Sequence, residues 1–200
     1  MLKFENVSLT FSSDERAQTV IKDLSYTIED GKITAVTGAS GIGKTTILNL
    51  AAGLIDASEG RVINTYPKTA YVFQEPRLLP WKTALENVSI VCGDEEKAQQ
   101  YLDMLLPGEG NKYPDELSGG MQQRVALARA MAYEADLLLL DEALKGLDAD
   151  TKKVVVSALK EYLKGRTAIM ITHDKSELEL CDTVLEIEET PVSALHTVNR

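Results

Sequence analysis

Glycines at 38, 41 and 43 stand between a short apolar run at 33–37 and a helix-favouring run at 44–52. That order admits few folds. A strand that enters a glycine-rich turn and leaves it as a helix is a βα unit of an open α/β sheet, whose ligands sit beyond the carboxyl ends of the strands. Glycine lets the backbone turn successive N–H groups inward, where a Cβ would obstruct them. The helix that follows adds unpaired amides and the positive end of its dipole. The loop of Gly38, Ala39, Ser40, Gly41, Ile42 and Gly43 therefore reads as a phosphate cradle. Lys44 would reach the β- and γ-phosphates, and Thr45, followed by Thr46, would offer its hydroxyl to Mg²⁺. The expected ligand is ATP or GTP.

A phosphate loop does not say what the nucleotide is for, and the second half of the chain narrows this. Leu117, Ser118, Gly119, Gly120, Met121 and Gln122 lead into a helix at 121–132 with Val125, Ala128 and Ala132 at helical spacing. A serine followed by unhindered amides makes a second anion-favouring helix start, although a capped amphipathic helix reads the same way. Leu137 to Leu140 form an apolar strand ending in Asp141 and Glu142, which delivers two carboxylates to the binding edge of the sheet. A further β-rich run at 167–172 ends in His173 and Asp174. Taken alone, the acidic pair would be a solvated strand end and the histidine a structural one.

In this order, the motifs resemble the ATP-binding cassette (ABC) ATPase family over residues 1–188. The resemblance implies an α/β P-loop NTPase fold: a RecA-like core, an antiparallel β subdomain and a short α-helical insertion at about 81–118. These would form one domain, with residues 189–200 a loosely held tail. It also implies roles. Asp141 would hold Mg²⁺, with Thr45 and Gln74 beside it, and Glu142 would polarise the water that attacks the γ-phosphate. His173 would contact the γ-phosphate. Phe11 would stack on adenine, with a core position the near-equal alternative. The signature stretch, Leu117, Ser118, Gly119, Gly120, Met121 and Gln122, would act on ATP held by an opposing subunit, and Asp148 would serve communication across the dimer. One chain is then half of a pair, expected to be a homodimer. Two positions depart from the family pattern: Ala143 replaces a proline, and Lys145-Gly146 stands where Ser-Ala is usual. Lys145 could meet an acidic group across the dimer seam, meet a phosphate, or be solvated.

Gln74 opens a stretch through Glu75, Pro76, Arg77, Leu78, Leu79, Pro80 and Trp81. With 83–88 it resembles the importer branch for nitrate, aliphatic sulfonates and taurine. That implies a membrane-spanning permease as partner and, outside the membrane, a possible solute-binding protein. Trp81, Leu78 and Leu79 read equally as a docking cluster or as the insertion's own core.

Composition fits this reading. Two hundred residues with 44% hydrophobic content support a sizeable core. A formal net charge of −10 argues against the basic surface of a nucleic-acid binder. The two cysteines, Cys92 and Cys181, show no disulfide framework and read as reduced thiols. The chain opens directly in a strand pattern without a leader, and nothing approaches the roughly 20 apolar residues of a membrane span. The expected location is the cytoplasmic face of the membrane, through a partner. Two other functions fit the same motifs: a soluble ATPase that remodels a protein complex, and a regulatory subunit with little turnover. Membrane association separates the first from a transporter subunit, and steady-state ATPase activity separates the second.

Overall fold

The computed structural model describes residues 1–13 and 16–198. Two sheets organise it. In the first, β1 (Leu2–Ser13) pairs antiparallel with β2 (Arg16–Ile28) and with β4 (Glu59–Asn64). Along β1, Leu2 and Phe4 are buried, and then Val7 and Leu9. Alternation by two would turn the second pair outward. The change of parity occurs at Asn6, whose φ of 49° lies in the left-handed region, and the register shifts there against both neighbouring strands. Gly60 crosses this bulge so closely that an added Cβ would lie 2.2 Å from the Asn6 carbonyl oxygen.

The second sheet has the order β5-β6-β7-β3-β8-β9. Its members are β3 (Ile33–Gly38), β5 (Thr69–Val72), β6 (Leu137–Asp141), β7 (Thr167–Ile171), β8 (Thr183–Ile187) and β9 (His196–Thr197). All pairings are parallel except β8 with β9. Both faces are covered, which explains why the central strands are continuously apolar. Leu138, Leu140, Ala168 and Met170 face one core, shared with the insertion and the helices that flank it. Leu137, Leu139, Ile169 and Ile171 face the other. There α1 (Lys44–Ala51) lies between the two sheets and contributes Ile47, Leu48 and Leu50. The strands between Gly60 and Gln74 thus divide between the sheets: β4 joins the antiparallel one and β5 the edge of the parallel one.

The insertion contains α2 (Ala84–Cys92) and α3 (Glu95–Leu105), then a 3₁₀ turn (Pro114–Glu116) that leads into α4 (Gly119–Ala132). Thr83 and Glu86 form a capping box at the start of α2, and Asp94 caps α3. Asn87, fully buried, accepts from the Leu79 amide at 2.8 Å and donates to the carbonyls of Leu79, Lys82 and Thr83. It pins the turn that carries Trp81. The thiol of Cys92 donates to the Asp94 carbonyl and that of Cys181 to the Glu177 carbonyl.

The two remaining helices are α5 (Ala149–Tyr162) and α6 (Lys175–Leu178). The segment 189–200 was expected to be loosely held, and over its described part it is docked. Val192 is fully buried, donates to the Val20 carbonyl at 2.8 Å and accepts from the Lys22 amide at 2.9 Å. His196 pairs with Glu186 in the sheet. Val192 against β2, Leu195 packed on the same core and the pairing of β9 together hold this part of the chain.

Candidate functional site

The phosphate loop begins where β3 ends. Gly38 has φ 137° and Gly43 has φ 116°. A Cβ on Gly38 would lie 2.7 Å from the Ile187 carbonyl oxygen, and one on Gly43 would meet Val20 and Val192 at 3.1 and 3.2 Å. Gly38 is therefore required by space as well as by conformation, and Gly43 by its conformation, with two valine methyls crowding it. Ala39, Ser40 and Gly41 are exposed at the crest of the loop. Lys44 folds back beneath it, donating to the carbonyls of Gly38 at 2.7 Å and Ala39 at 2.8 Å. Burial lowers its pKa, opposed by the charges of Glu142 and Asp141. The first turn of α1 carries no acidic side chain and no side-chain cap, so its amides face the loop unclaimed by either.

Asp141 ends β6 in a buried position. Burial raises the pKa of its carboxyl, while hydrogen bonds from Thr45 and Tyr71 pull it down. The Tyr71 hydroxyl donates to Asp141 at 3.3 Å. Thr45 and Asp141 thus bring two hard oxygen donors together at the foot of the loop. Glu142 continues the strand pairing by donating its amide to the Ile171 carbonyl at 3.1 Å, then turns through φ 46°. Its Oε2 accepts from Gln74 Nε2 at 3.2 Å and from Lys145 Nζ at 2.6 Å. Of the three readings of Lys145 taken from sequence, the structure shows a fourth: an ion pair with a carboxylate of its own chain.

Glu142 and His173 line one cleft of about 310 Å³, together with Lys145, Gly146, Lys152, Thr172, Asp174 and Glu177. The loop bearing His173 is tied down on both sides. The Asp174 amide donates to Thr172 Oγ1 at 3.0 Å, and the Asp174 carboxylate caps α6. Lys152, on α5, donates to Asp174 at 2.8 Å and to Glu177 at 2.7 Å. Its ammonium, with the Ser176 hydroxyl, holds the Asp174 carboxyl well below the usual range. Asp148 caps the start of the same helix through the amides of Asp150 and Thr151. Sequence reasoning missed Lys152; the Asp174, Glu177 spacing of one helical turn was the available signal.

Ser118 caps α4, accepting from the Met121 amide at 3.3 Å, and Ser118 and Gly119 are exposed. Leu117 is buried, and Gln122 Nε2 holds the preceding turn through the carbonyls of Pro114 and Leu117. A Cβ on Gly120 would come within 3.3 Å of the Leu147 side chain. Among the described residues no hydrogen bond joins Ser118 or Gly119 to Lys44, Glu142 or His173, so this tip is not part of the chain's own cleft. Phe11 is 49% exposed and paired with Gln18 across the hairpin, which removes the core alternative.

The helix behind the tip is wired elsewhere. Gln123 Nε2 donates to the Phe73 carbonyl at 3.3 Å, and Arg129 donates to the carbonyls of Pro76 and Arg77 at 3.0 and 3.1 Å. Arg77 in turn lies 3.8 Å over the Phe73 ring. No pattern in the sequence pointed to Arg129, because its partners are backbone atoms of a distant loop.

A glycine loop with a lysine turned into it, and an Asp-Glu pair at the end of the next strand but one in the same sheet, define a P-loop nucleoside triphosphatase. Residues 21–145 match the family model described as ABC transporter. The chain is 38% identical to the ABC transporter ATP-binding protein YtlC of Bacillus subtilis, over 95% of this chain and 80% of that one. It is 43% identical to the aliphatic sulfonates import ATP-binding protein SsuB of Pectobacterium atrosepticum, over 91% and 73%. It superposes with a TM-score of 0.90 on a dimeric post-hydrolysis structure of the ATP-binding cassette MJ0796 bound to ADP and Pi, covering all of both chains at 29% identity. The chain belongs to the ABC transporter family, as an ATP-binding and ATP-hydrolysing cassette.

Proposed function

We propose that this cassette works in pairs and powers the import of a small solute through a separate membrane permease. One observation carries the reading: the segment from Gln74 to Trp81 joins the catalytic cleft to an exposed surface. Gln74 bonds Glu142 at one end, and Trp81 is 70% exposed at the other. Asn87 and Arg129 hold the backbone between and beside them. The same exposure argues against Trp81 as the insertion's own core. Leu78 packs against the core, while a large aromatic in solvent on a turn whose backbone Asn87 pins suits a protein partner.

At the site, Lys44 exchanges its loop carbonyls for phosphate oxygens, and the loop amides surround the same charge. Phe11 stacks on the base. Among the described residues no group of three or more His, Cys, Asp or Glu side chains is placed to hold a metal. The oxygen pair of Thr45 and Asp141, with Gln74 nearby, fits a Mg²⁺ that takes its other ligands from phosphate and water. When bound, that ion neutralises phosphate charge. Glu142 takes the proton of the attacking water as its oxygen bonds to the γ-phosphorus; the bond to the β,γ-bridging oxygen breaks, leaving ADP and phosphate. His173 holds a γ-phosphate oxygen. Ser118 to Gly120 of a second copy close over the same phosphate, and Asp148 lies on the seam. Closure lasts only while the γ-phosphate is there to be shared, a difference in affinity between two states.

No helix of the described residues is long and apolar enough to cross a membrane. Attachment is then peripheral, on the cytoplasmic face, through the permease. Relatives named for aliphatic sulfonates make small organic sulfonates the first solutes to try, with an external solute-binding protein delivering them. To test the assignment, Glu142→Gln protein is purified from solubilised membranes of its source with Mg-ATP present. A multi-spanning permease at near-equal amount supports the importer subunit. A closed homodimer without membrane protein overturns it.

A further inference from the structure

Glu142 presents one carboxylate oxygen to two donors, and the stronger is a lysine three residues on. The pairing is built into the backbone. The Lys145 amide donates to the Glu142 carbonyl at 3.0 Å, closing a turn that starts from the left-handed Glu142 and passes into Gly146 at φ 81°. This turn sets the two side chains together, Nζ to Oε2 at 2.6 Å. The other cation of the cleft, Lys152, is committed to Asp174 and Glu177. Lys145 is therefore the lysine of that cleft engaged with Glu142.

We propose that Lys145 is a positioning residue that restrains the general base. This rests on the assignment of Glu142 as that base. In the separate subunit the ammonium occupies the oxygen that would otherwise be open to the attacking water's proton. Turnover requires the ammonium to leave, and the γ-phosphate, which brings more negative charge into the cleft than one carboxylate, draws it away. The side chains of Lys145 and Glu142 are 64% and 26% exposed. A pair so open to water is weak and screened by salt, so the restraint is a brake of a few-fold and not a lock. It also sets an order: in ATP-bound chains the ammonium must first move from Glu142 to the phosphate, and the fraction still paired with Glu142 waits, which slows turnover.

The test uses the purified full chain and steady-state kinetics with Mg-ATP at about 0.03 M and about 0.5 M salt. Lys145→Ser is expected to raise kcat about two- to fivefold at low salt with KM little changed, and the gap is expected to close at high salt. Lys145→Arg, which keeps the charge, is expected to match wild type. An unchanged or lower kcat for Lys145→Ser, with Glu142→Gln inactive, overturns the restraint. Turnover by Glu142→Gln instead overturns the assignment of the base, so the two failures are told apart. A second measurement needs no turnover. Reductive methylation of Lys145, followed by mass spectrometry against the exposed Lys175, is expected to be faster in Glu142→Gln than in wild type. Equal rates overturn the ion pair.

Discussion

Lys152 reaches from α5 to Asp174, the residue directly after His173, and so ties the helix that begins at Asp148 to the loop that carries the histidine. Its second bond, to a Glu177 that is 4% exposed, lies at the buried end of the same bridge. Lys152→Met removes the charge and leaves both carboxylates close together. A loss of about 2 kcal/mol of stability is expected, less than for a fully buried pair because Lys152 is still partly exposed. With the His173 loop loosened, kcat should fall about tenfold while KM moves little, since misplacement by an ångström costs on that order or more. Denaturant melts and steady-state kinetics check the two parts separately.

The same bridge gives an acid sensitivity. The Asp174 carboxyl gives up its proton more easily in the folded chain than in the unfolded one. The unfolded state therefore binds more protons there, and stability from this group is complete above the ordinary carboxylate pKa of about 4. It drains as pH falls below that value. In Lys152→Met this part of the acid-induced loss should shrink, which a set of urea melts between neutral and acid pH would show.

At Gly60 the restriction is purely structural. An added methyl group meets the Asn6 carbonyl at 2.2 Å, at a φ of 73°. Gly60→Ala should cost more than about 2 kcal/mol by forcing the bulge of β1 apart. Affinity for ATP under native conditions should stay within about twofold, because no phosphate-binding residue lies in that contact. Thermal melts with and without nucleotide test this.

Val192→Ala should be felt at the phosphate loop. The valine fills space beside Gly43, its methyl 3.2 Å from where that residue's Cβ would stand. Opening a cavity there is expected to cost about 1–2 kcal/mol and to weaken nucleotide binding as the loop loses its backing. Titration with a fluorescent ATP analogue measures the second effect. Undiminished affinity would show the loop to be held by β3 and α1 alone.

Trp81→Ala should leave the melting temperature and basal ATPase rate unchanged, since the indole is largely in solvent. Recovery of the permease with the tagged chain should fall at least tenfold, as for an interface anchor.

These residues also divide what the amino-acid sequence makes legible from what only the folded chain brings together. The phosphate loop was legible because it is a contiguous run whose local geometry makes its chemistry, whereas the roles expected of the Asp141-Glu142 strand end and of His173 came from a family resemblance. The strand and helix limits around them follow from the same apolar periodicity. Lys152, Asn87 and Arg129 were not legible, because each acts through atoms brought near only by folding. Lys145 was visible as a departure, but its partner depended on the left-handed turn at Glu142. The tail at 189–200 was expected to be loosely held for a related reason: burial of a side chain such as Val192 leaves no periodic trace in a run of mixed residues.

Arg129 and Gln123 have a consequence for how two such chains would keep in step. They splint the backbone around residues 73–77 to a helix whose exposed tip serves a neighbour's nucleotide in the proposed head-to-tail pair. The surface that Trp81 offers is thus joined to the tip proposed to read the other subunit's ATP, and to its own site through Gln74 and through Arg77, Phe73 and Tyr71 to Asp141. In such a pair each half of the permease would hear from both sites, so that one empty pocket is felt on the opposite side of the membrane gate as well as on its own.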